Sequence, residues 1–347
     1  MMPIQAFAVT DQVIESPKLK VAAKGISFNE SAYRTLSNRS IKGKKIKNFN
    51  LRKLIKEKSS GYSVVQGGCT DGKYAYYLMV SPTTQKGRVL KVRIKNNKVI
   101  KRSKVLNVHH GNGMAYDSKR KKLVVIAREK RKQEITLIDA KTLRITRQQN
   151  VKYNNYDSAG KKSLSKLHQK QGLAAIAYVK KYDCYIALER KYHHLLIFDP
   201  DSFEAIGMVK TNITGDYPGT FQAMDADAKY VYLLLSYYNE RGKVQPYNLI
   251  LALDWNSEKL LPVVNQDEIT GPNYVEEAWY CKNDESGRPD AAIRIRTKHE
   301  AENIYHTTDK KGREHFYLSE YYSHYVYSKK GYWVLKRDDR VYDLGII

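Results

Sequence analysis

The sequence predicts an all-β protein, most simply a β-propeller, because one pattern of short strands recurs along most of the chain. Each unit opens with polar and small residues, continues through an apolar–Tyr pair and an Asp- or Lys-rich turn, and ends in an alternating strand. The five copies open at Gln66, Asn112, Leu173, Phe221 and Glu302. Repeats of roughly 40–50 residues built from short strands are typical of propellers. We therefore expect five blades, or six if residues 266–295 form a degenerate blade.

The units follow one another from residue 62 onward. In the first unit we expect strands over residues 74–80, 88–94 and 99–105, and in the second over 123–127 and 135–139. Tight turns start at Asp139 and Asp199, at the same place in their units. The Asp and Ser side chains there are suited to cap the backbone between two outer strands.

The segment before the repeats is strongly basic between residues 41 and 58. It either packs on the propeller's edge or supplies its closing strand, or it acts as an electrostatic anchor. Further upstream, Ala6-Phe7-Ala8 has the small-X-small pattern of a secretion-signal cleavage site. The expected organisation is a signal remnant at 1–8, a basic segment at 9–61 and the propeller at 62–347, in a secreted protein.

The charge balance predicts an anionic partner. The chain has 61 Lys and Arg against 36 Asp and Glu, a net charge of +25. Such an excess suits an anionic cell-wall polymer, a polysaccharide or an anionic membrane surface, although it could also be a solvated surface without a dedicated partner. Because no RNA-binding or zinc-finger signature occurs, no specific nucleic acid is expected. The three cysteines are widely spaced; Cys69 and Cys184 fall in strand patterns and are expected to be buried.

The repeat also predicts where a site would lie. The innermost strand of each blade lines the central channel of a propeller, so residues at the start of these strands converge on one mouth. Glycines 67, 68, 111 and 113 suit crowded strands near that axis. The expected ligand-binding residues are Gln66, His109, His110, Asn112, Gln171, Phe221, Gln222, His299 and Glu302. The alternative is a polar, water-filled channel without a ligand.

If the protein is an enzyme, the same mouth supplies the chemistry. Glu300 or Glu302 would be the acid or base, with His110 or His299 as its partner. A metal site formed by His110, His299 and Glu302 is conceivable, but the spacing is not a local ligand motif, and we expect neither metal nor cofactor.

Two family resemblances accompany these patterns. The blade opening His110-Gly111-Asn112-Gly113-Met114-Ala115-Tyr116-Asp117 resembles those of secreted β-propeller proteins of Gram-positive bacteria, over about residues 62–340. The segments Lys298–Ile304 and Phe221–Asp227 resemble helveticin-type large bacteriocins of lactobacilli. The resemblances imply a secreted, cationic protein with antibacterial action as one use of envelope binding.

Three functions follow as hypotheses. The first is a secreted propeller that binds an anionic or carbohydrate polymer at the bacterial cell envelope. The second is a glycoside hydrolase or polysaccharide lyase that uses the Glu and His residues of the channel mouth. The third is a scaffold without a ligand.

Overall fold

The computed structural model describes most of the repeat region and part of the basic segment. The described residues are 40–41, 44–55, 64–129, 132–151, 172–189, 195–209, 219–227, 230–238, 244–254, 260–261, 293–296, 300–321, 323–337 and 339–346. Nearly all of them lie in antiparallel sheets or in the turns between strands.

The basic segment contributes two strands and a short helix. They are β1 (Ser40–Ile41), β2 (Lys44–Asn50) and α1 (Leu51–Ile55). Asn50 Oδ1 accepts a hydrogen bond from the backbone N–H of Lys53 at 2.9 Å, which caps the start of α1. Leu51 and Ile55 are four residues apart, so they share one helix face, and both are buried.

The first two sheets each have four strands. Sheet 1 consists of β3 (Val64–Thr70), β4 (Tyr74–Val80), β5 (Gly87–Arg93) and β6 (Lys98–Arg102), with a 3-10 helix at Ile94–Asn96. Sheet 2 consists of β7 (Gly113–Asp117), β8 (Lys122–Glu129), β9 (Lys132–Asp139) and β10 (Ile145–Asn150). In both sheets each strand pairs with the next one along the chain.

Sheets 3 and 4 have five strands each. Sheet 3 consists of β11 (Leu173–Val179), β12 (Cys184–Glu189), β13 (Leu195–Phe198), β14 (Ala205–Val209) and the edge strand β18 (Leu260–Leu261). Sheet 4 consists of β15 (Gly219–Ala226), β16 (Tyr230–Tyr238), β17 (Val244–Asp254), β19 (Ile293–Arg296) and the parallel strand β1.

Sheet 5 combines strands from both parts of the chain. It consists of β20 (Glu300–Thr308), β21 (Glu314–Tyr321), β24 (Arg340–Ile346) and β2. A separate two-stranded hairpin, β22 (Ser323–Tyr327) and β23 (Trp333–Arg337), lies between β21 and β24 in the chain.

The first strands of the five sheets form a closed ring. Strand β3 contacts β7, β7 contacts β11, β11 contacts β15, β15 contacts β20, and β20 contacts β3. Sheets that radiate from a ring of inner strands are the arrangement of a β-propeller. The all-β prediction is confirmed, and the polar-then-small openings of the units are the inner strands, as predicted.

The hydrophobic core lies between consecutive sheets. Cys69 and Tyr76 of sheet 1 pack with Met114 and Val125 of sheet 2, and similar clusters join sheets 2 and 3, 4 and 5, and 5 and 1. Because its sheet is covered on both faces, β11 is buried along its whole length. Cys69 and Cys184 are buried as predicted, and burial raises the pKa of Cys184 to about 12.

The basic segment closes sheet 5. Strand β2 pairs antiparallel with β24, with Lys44 opposite Asp343 and Asn50 opposite Arg340. Residues 44–55 are thus built into the fold, in the manner of a closing strand. The predicted signal remnant at 1–8 and the predicted boundary at residue 62 lie outside the described residues and stay predictions.

Asp339 ties this closure to the inner ring. Its buried side-chain Oδ2 accepts a hydrogen bond from the backbone N–H of Val65 at 2.9 Å, at the start of β3. Its backbone oxygen accepts a hydrogen bond from the N–H of Leu51 at 3.1 Å. One residue therefore holds α1, sheet 1 and sheet 5 together.

Within the described part of the chain, no helix is long and apolar enough to span a membrane.

Candidate functional site

Four of the five inner strands carry a β-bulge near their start. The register shifts between Val65 and Gly67, between Leu173 and Ala175, between Phe221 and Ala223, and between Ala301 and Asn303. The bulged residues are therefore Gln66, Ala174, Gln222 and Glu302, and Asn112 directly precedes β7 at the equivalent place. Bulges re-aim side chains, so polar groups from four sheets are gathered at one end of the ring.

Gln66 and Glu302 are in contact across neighbouring sheets. Gln66 Nε2 donates to Glu302 Oε2 at 3.3 Å, although the two residues are 236 positions apart in the sequence. Glu302 is only 7% exposed, whereas Gln66 is half-buried. The ring thus brings together two of the residues predicted for the channel mouth.

Glycines near the start of the inner strands allow these strands to approach closely. A Cβ at Gly67 would lie 3.0 Å from Met114 Cβ, and one at Gly113 would lie 3.0 Å from Ala175 Cα. A Cβ at Gly68 would lie 2.1 Å from Asn303 Nδ2. The crowding predicted for these glycines is present, and it sets the narrow spacing at this end of the ring.

Three other predicted residues differ in burial. Asn112 is 5% exposed, and its Oδ1 has no hydrogen-bond partner among the described residues. Gln222 is half-buried. Phe221 is 4% exposed, so its ring belongs to the packed interior and offers no stacking surface to solvent.

The two histidines before β7 contact groups outside the inner ring. His110 Nδ1 lies 3.0 Å from Oε1 of Gln85, which sits in the turn before β5. His109 Nε2 lies 3.5 Å from Oε1 of Glu134 on β9. Gln85 directly precedes β5 and Glu134 lies on β9, the third strands of sheets 1 and 2, so each histidine has a contact outside the inner ring.

The remaining predicted residues cannot be placed in the same way. Gln171 and His299 lie outside the described residues, and of Glu300 only the backbone, at the start of β20, is described. Among the residues that the structure describes, no group of three or more His, Cys, Asp or Glu side chains could hold a metal ion.

A second polar pair, which the sequence analysis missed, joins the inner strands of sheets 4 and 5. His306 Nδ1 lies 2.7 Å from Asp225 Oδ2. Burial opposes the charged imidazole, but the negative charge of Asp225 and its hydrogen bond outweigh burial and raise the pKa of His306 to about 9. The aligned units contain the signal that could have found this pair: Asp225 occupies the position of Cys69 and Ala115, where the first two units have small residues.

The many tyrosines also have a structural use. Tyr76 and Tyr185 donate from their hydroxyls to Asp71 and Asp117, each at 2.8 Å. Tyr232 donates to Asp227 at 3.1 Å. These Asp residues lie at the turns between first and second strands, at the end of the ring opposite the bulges.

Some of the Lys and Arg side chains form hydrogen bonds between neighbouring sheets. Lys91 and Lys101 of sheet 1 donate to the backbone oxygens of Ala140 and Lys141 in sheet 2, at 3.0 and 3.1 Å. Arg120 of sheet 2 donates to Asp183 of sheet 3 at 2.7 Å. Burial favours a neutral Asp183 carboxyl, but the hydrogen bonds from Arg120 and Lys119 outweigh it and lower the pKa of Asp183 to about 2.

Neither a protein-family model nor a curated protein matches the chain. Among solved structures, it is similar to glutaminyl cyclase of Myxococcus xanthus, at 11% identity and a TM-score of 0.38, over 89% of this chain and 98% of that one. It is similar to TolB of Acinetobacter baumannii, at 12% identity and a TM-score of 0.35, over 82% of this chain and 55% of that one. It is also similar to hydrazine synthase of Kuenenia stuttgartiensis, at 12% identity and a TM-score of 0.35, over 80% of this chain and 59% of that one.

The chain thus spans little more than half the length of the TolB and hydrazine synthase chains. The TM-scores are too low to define a common fold, so the description of the architecture rests on the sheets and their contacts.

Proposed function

We propose that this protein is a five-bladed propeller that binds an anionic or carbohydrate polymer of the bacterial cell envelope at the bulged end of its inner ring. The contact between Gln66 and Glu302 carries the proposal, because it joins two predicted mouth residues from neighbouring sheets. Five blades are favoured over six because β15 and β20 contact each other directly. A further blade would have to separate them.

The chemistry of the bulged end favours hydroxyl-rich ligands. Gln66, Asn112 and Gln222 offer amides that both donate and accept hydrogen bonds, and Glu302 offers a carboxylate acceptor. Sugar hydroxyls need this mixture of donors and acceptors, whereas a ring of cations would suit phosphate alone. The net charge of +25 would concentrate an anionic polymer near the protein, and the ring would recognise one of its units.

The biological setting is part of the proposal. Secretion and helveticin-like antibacterial action agree with a cationic protein that recognises an envelope polymer. The enzymatic alternative uses Glu300 or Glu302 with His110 or His299, and it stays a prediction; the side chains of Glu300 and His299 lie outside the described residues.

A titration with envelope polymers tests the binding site. Wild type, Glu302→Gln and Glu204→Gln are titrated by calorimetry with wall teichoic acid, peptidoglycan fragments and acidic polysaccharides, at low and high salt. Both variants gain the same charge, but Glu204 is an exposed residue at the end of a turn in sheet 3. Losing a hydrogen bond to a charged group should weaken binding of Glu302→Gln about 10-fold or more, while Glu204→Gln binds like wild type.

Two other results would contradict the proposed binding function of this site. If both variants bind like wild type and high salt abolishes binding, the basic surface alone holds the polymer and the site assignment is wrong. Turnover of a polymer that stops in Glu302→Gln would favour the enzymatic alternative instead.

A further inference from the structure

The hairpin formed by β22 and β23 exposes aromatic side chains at its tip. Trp333 is 65% exposed, Tyr327 59% and Tyr332 54%. Tyr327 and Trp333 are directly opposite each other at the end of the two-stranded ladder, and their rings meet edge to face with centroids 5.2 Å apart. Large aromatic side chains gathered at an exposed tip mark an interaction surface rather than a core.

The turn that joins the two strands is well defined. The N–H of Ser328 donates to the backbone oxygen of Tyr332 at 2.8 Å, and the N–H of Gly331 donates to the oxygen of Ser328 at 3.1 Å. Gly331 has a φ of +82°, which a side chain would disfavour. Lys329 and Lys330 occupy the exposed corners of this turn, so two ammonium groups flank the aromatic rings.

The charge of the hairpin has one sign. Residues 323–337 contain Lys329, Lys330, Lys336 and Arg337 and no Asp or Glu. We propose that this hairpin docks the protein on an anionic lipid bilayer, with the Tyr and Trp rings in the headgroup region and the lysines on lipid phosphates. Tyr and Trp favour this interface because one side of the ring is apolar and the other polar, and Lys is attracted by the surface potential of anionic lipids.

The geometry favours a lipid surface over a sugar. Tyr327 and Trp333 are inclined at 70°, so they form no common flat platform for a sugar ring. The hairpin leaves sheet 5 after Tyr321, whose register partner is Glu300 at the start of β20. Docking would therefore bring the bulged end of the ring toward the membrane.

Co-sedimentation with lipid vesicles tests the proposal. The probes are vesicles of equal parts phosphatidylcholine and phosphatidylglycerol, and vesicles of phosphatidylcholine alone. The tip variant is Lys329→Ala/Lys330→Ala, and the control is Lys310→Ala/Lys311→Ala. The control removes the same charge from exposed positions in sheet 5, at the turn between β20 and β21 and thus at the opposite end of the ring. The tip variant should bind anionic vesicles about 30-fold more weakly, and the control like wild type.

The aromatic part of the contact has its own readout. Trp333→Phe should keep most of the binding but lose a blue shift of tryptophan fluorescence on anionic vesicles, and Tyr327→Ala/Trp333→Ala should lose the binding that remains at high salt. Equal losses in the tip and control variants would overturn the proposal, since net charge would then explain binding. Absence of wild-type binding to anionic vesicles would also overturn it. Neither outcome depends on the polymer titration of Glu302→Gln, so the two proposals fail separately.

Discussion

His306 is bound twice to one carboxylate oxygen of Asp225. Asp225 Oδ2 accepts from the backbone N–H and lies within hydrogen-bond distance of Nδ1 of His306, each at 2.7 Å. The two residues belong to the inner strands of sheets 4 and 5, so the contact joins consecutive sheets next to their shared apolar cluster. Glu314 and Asp227 add negative charge nearby, and the Tyr232 hydroxyl lies 2.6 Å from Glu314 Oε2 and 3.1 Å from Asp227 Oδ2, so it can donate its one proton to either carboxylate.

This pair predicts a stability that falls in alkaline solution. The pKa of His306 is about 9 when folded and close to its ordinary 6.5 when unfolded. The stabilisation is complete below pH 6.5 and is lost as the pH rises through about 9. The loss should reach about 3 kcal/mol, measured by urea unfolding across this window. His306→Gln and Asp225→Asn should remove most of this slope; a wild-type slope in His306→Gln would contradict the prediction.

Removal of the Asp339 side chain should weaken ring closure. Asp339→Ala leaves the buried N–H of Val65 without its acceptor, which should cost about 1–3 kcal/mol in the free energy of unfolding. Asp339→Asn retains an acceptor oxygen, so it should lose less. Denaturant unfolding of the two variants compares these losses, and equal stability of Asp339→Ala and wild type would show that the contact contributes nothing.

Helix α1 places a buried residue, Leu51, and an exposed residue, Lys53, within one helical turn. Leu51 is buried against sheets 1 and 5, whereas Lys53 is exposed. Leu51→Ala should lower the unfolding free energy by about 2–5 kcal/mol, and Lys53→Ala should change it by less than about 0.5 kcal/mol. Thermal and urea unfolding would measure both. A small effect of Leu51→Ala would mean that the basic segment does not form part of the folded core in solution.

The close approach of Gly68 to Asn303 predicts that substitution of Asn303 restores stability lost in a Gly68 variant. Gly68→Ala would place a methyl group 2.1 Å from Asn303 Nδ2, so the buried Asn303 side chain or the two sheets must shift, at a cost of about 1–3 kcal/mol. In Gly68→Ala/Asn303→Ala the obstacle is removed, and the double variant should be more stable than the sum of the two single effects predicts. Strict additivity of the two substitutions would rule out the steric explanation.

Local structure followed well from the sequence. Strand β4 has the predicted bounds, and β5 differs from its prediction by one residue at each end. The turns at Asp139 and Asp199 also form as predicted, since each carboxylate accepts the N–H three residues later at 2.7 Å. These features depend on alternation and on local side-chain caps, both of which are visible in a short stretch of sequence.

Contacts between distant units were harder to predict. The Gln66–Glu302 contact followed from the alignment of the units, because equivalent positions meet at one end of a ring. The histidines at 109 and 110 align equally well, and each also contacts a group outside the inner ring, Glu134 for His109 and Gln85 for His110. To predict the Asp225–His306 pair, one would have had to know which faces of two neighbouring sheets oppose each other.

The pairing of β2 with β24 determines when sheet 5 can form during synthesis and folding. Residues 44–50 must wait for their partner until residues 340–346 have been synthesised. The other four sheets draw most of their strands from neighbouring stretches of chain and can form earlier. Such a high sequence separation slows folding, because a very large loop closes in one step. Until then, strand β2 and the β21 edge of sheet 5 are open to pairing with other chains, so this unfinished state is where misassembly or capture by a chaperone should concentrate.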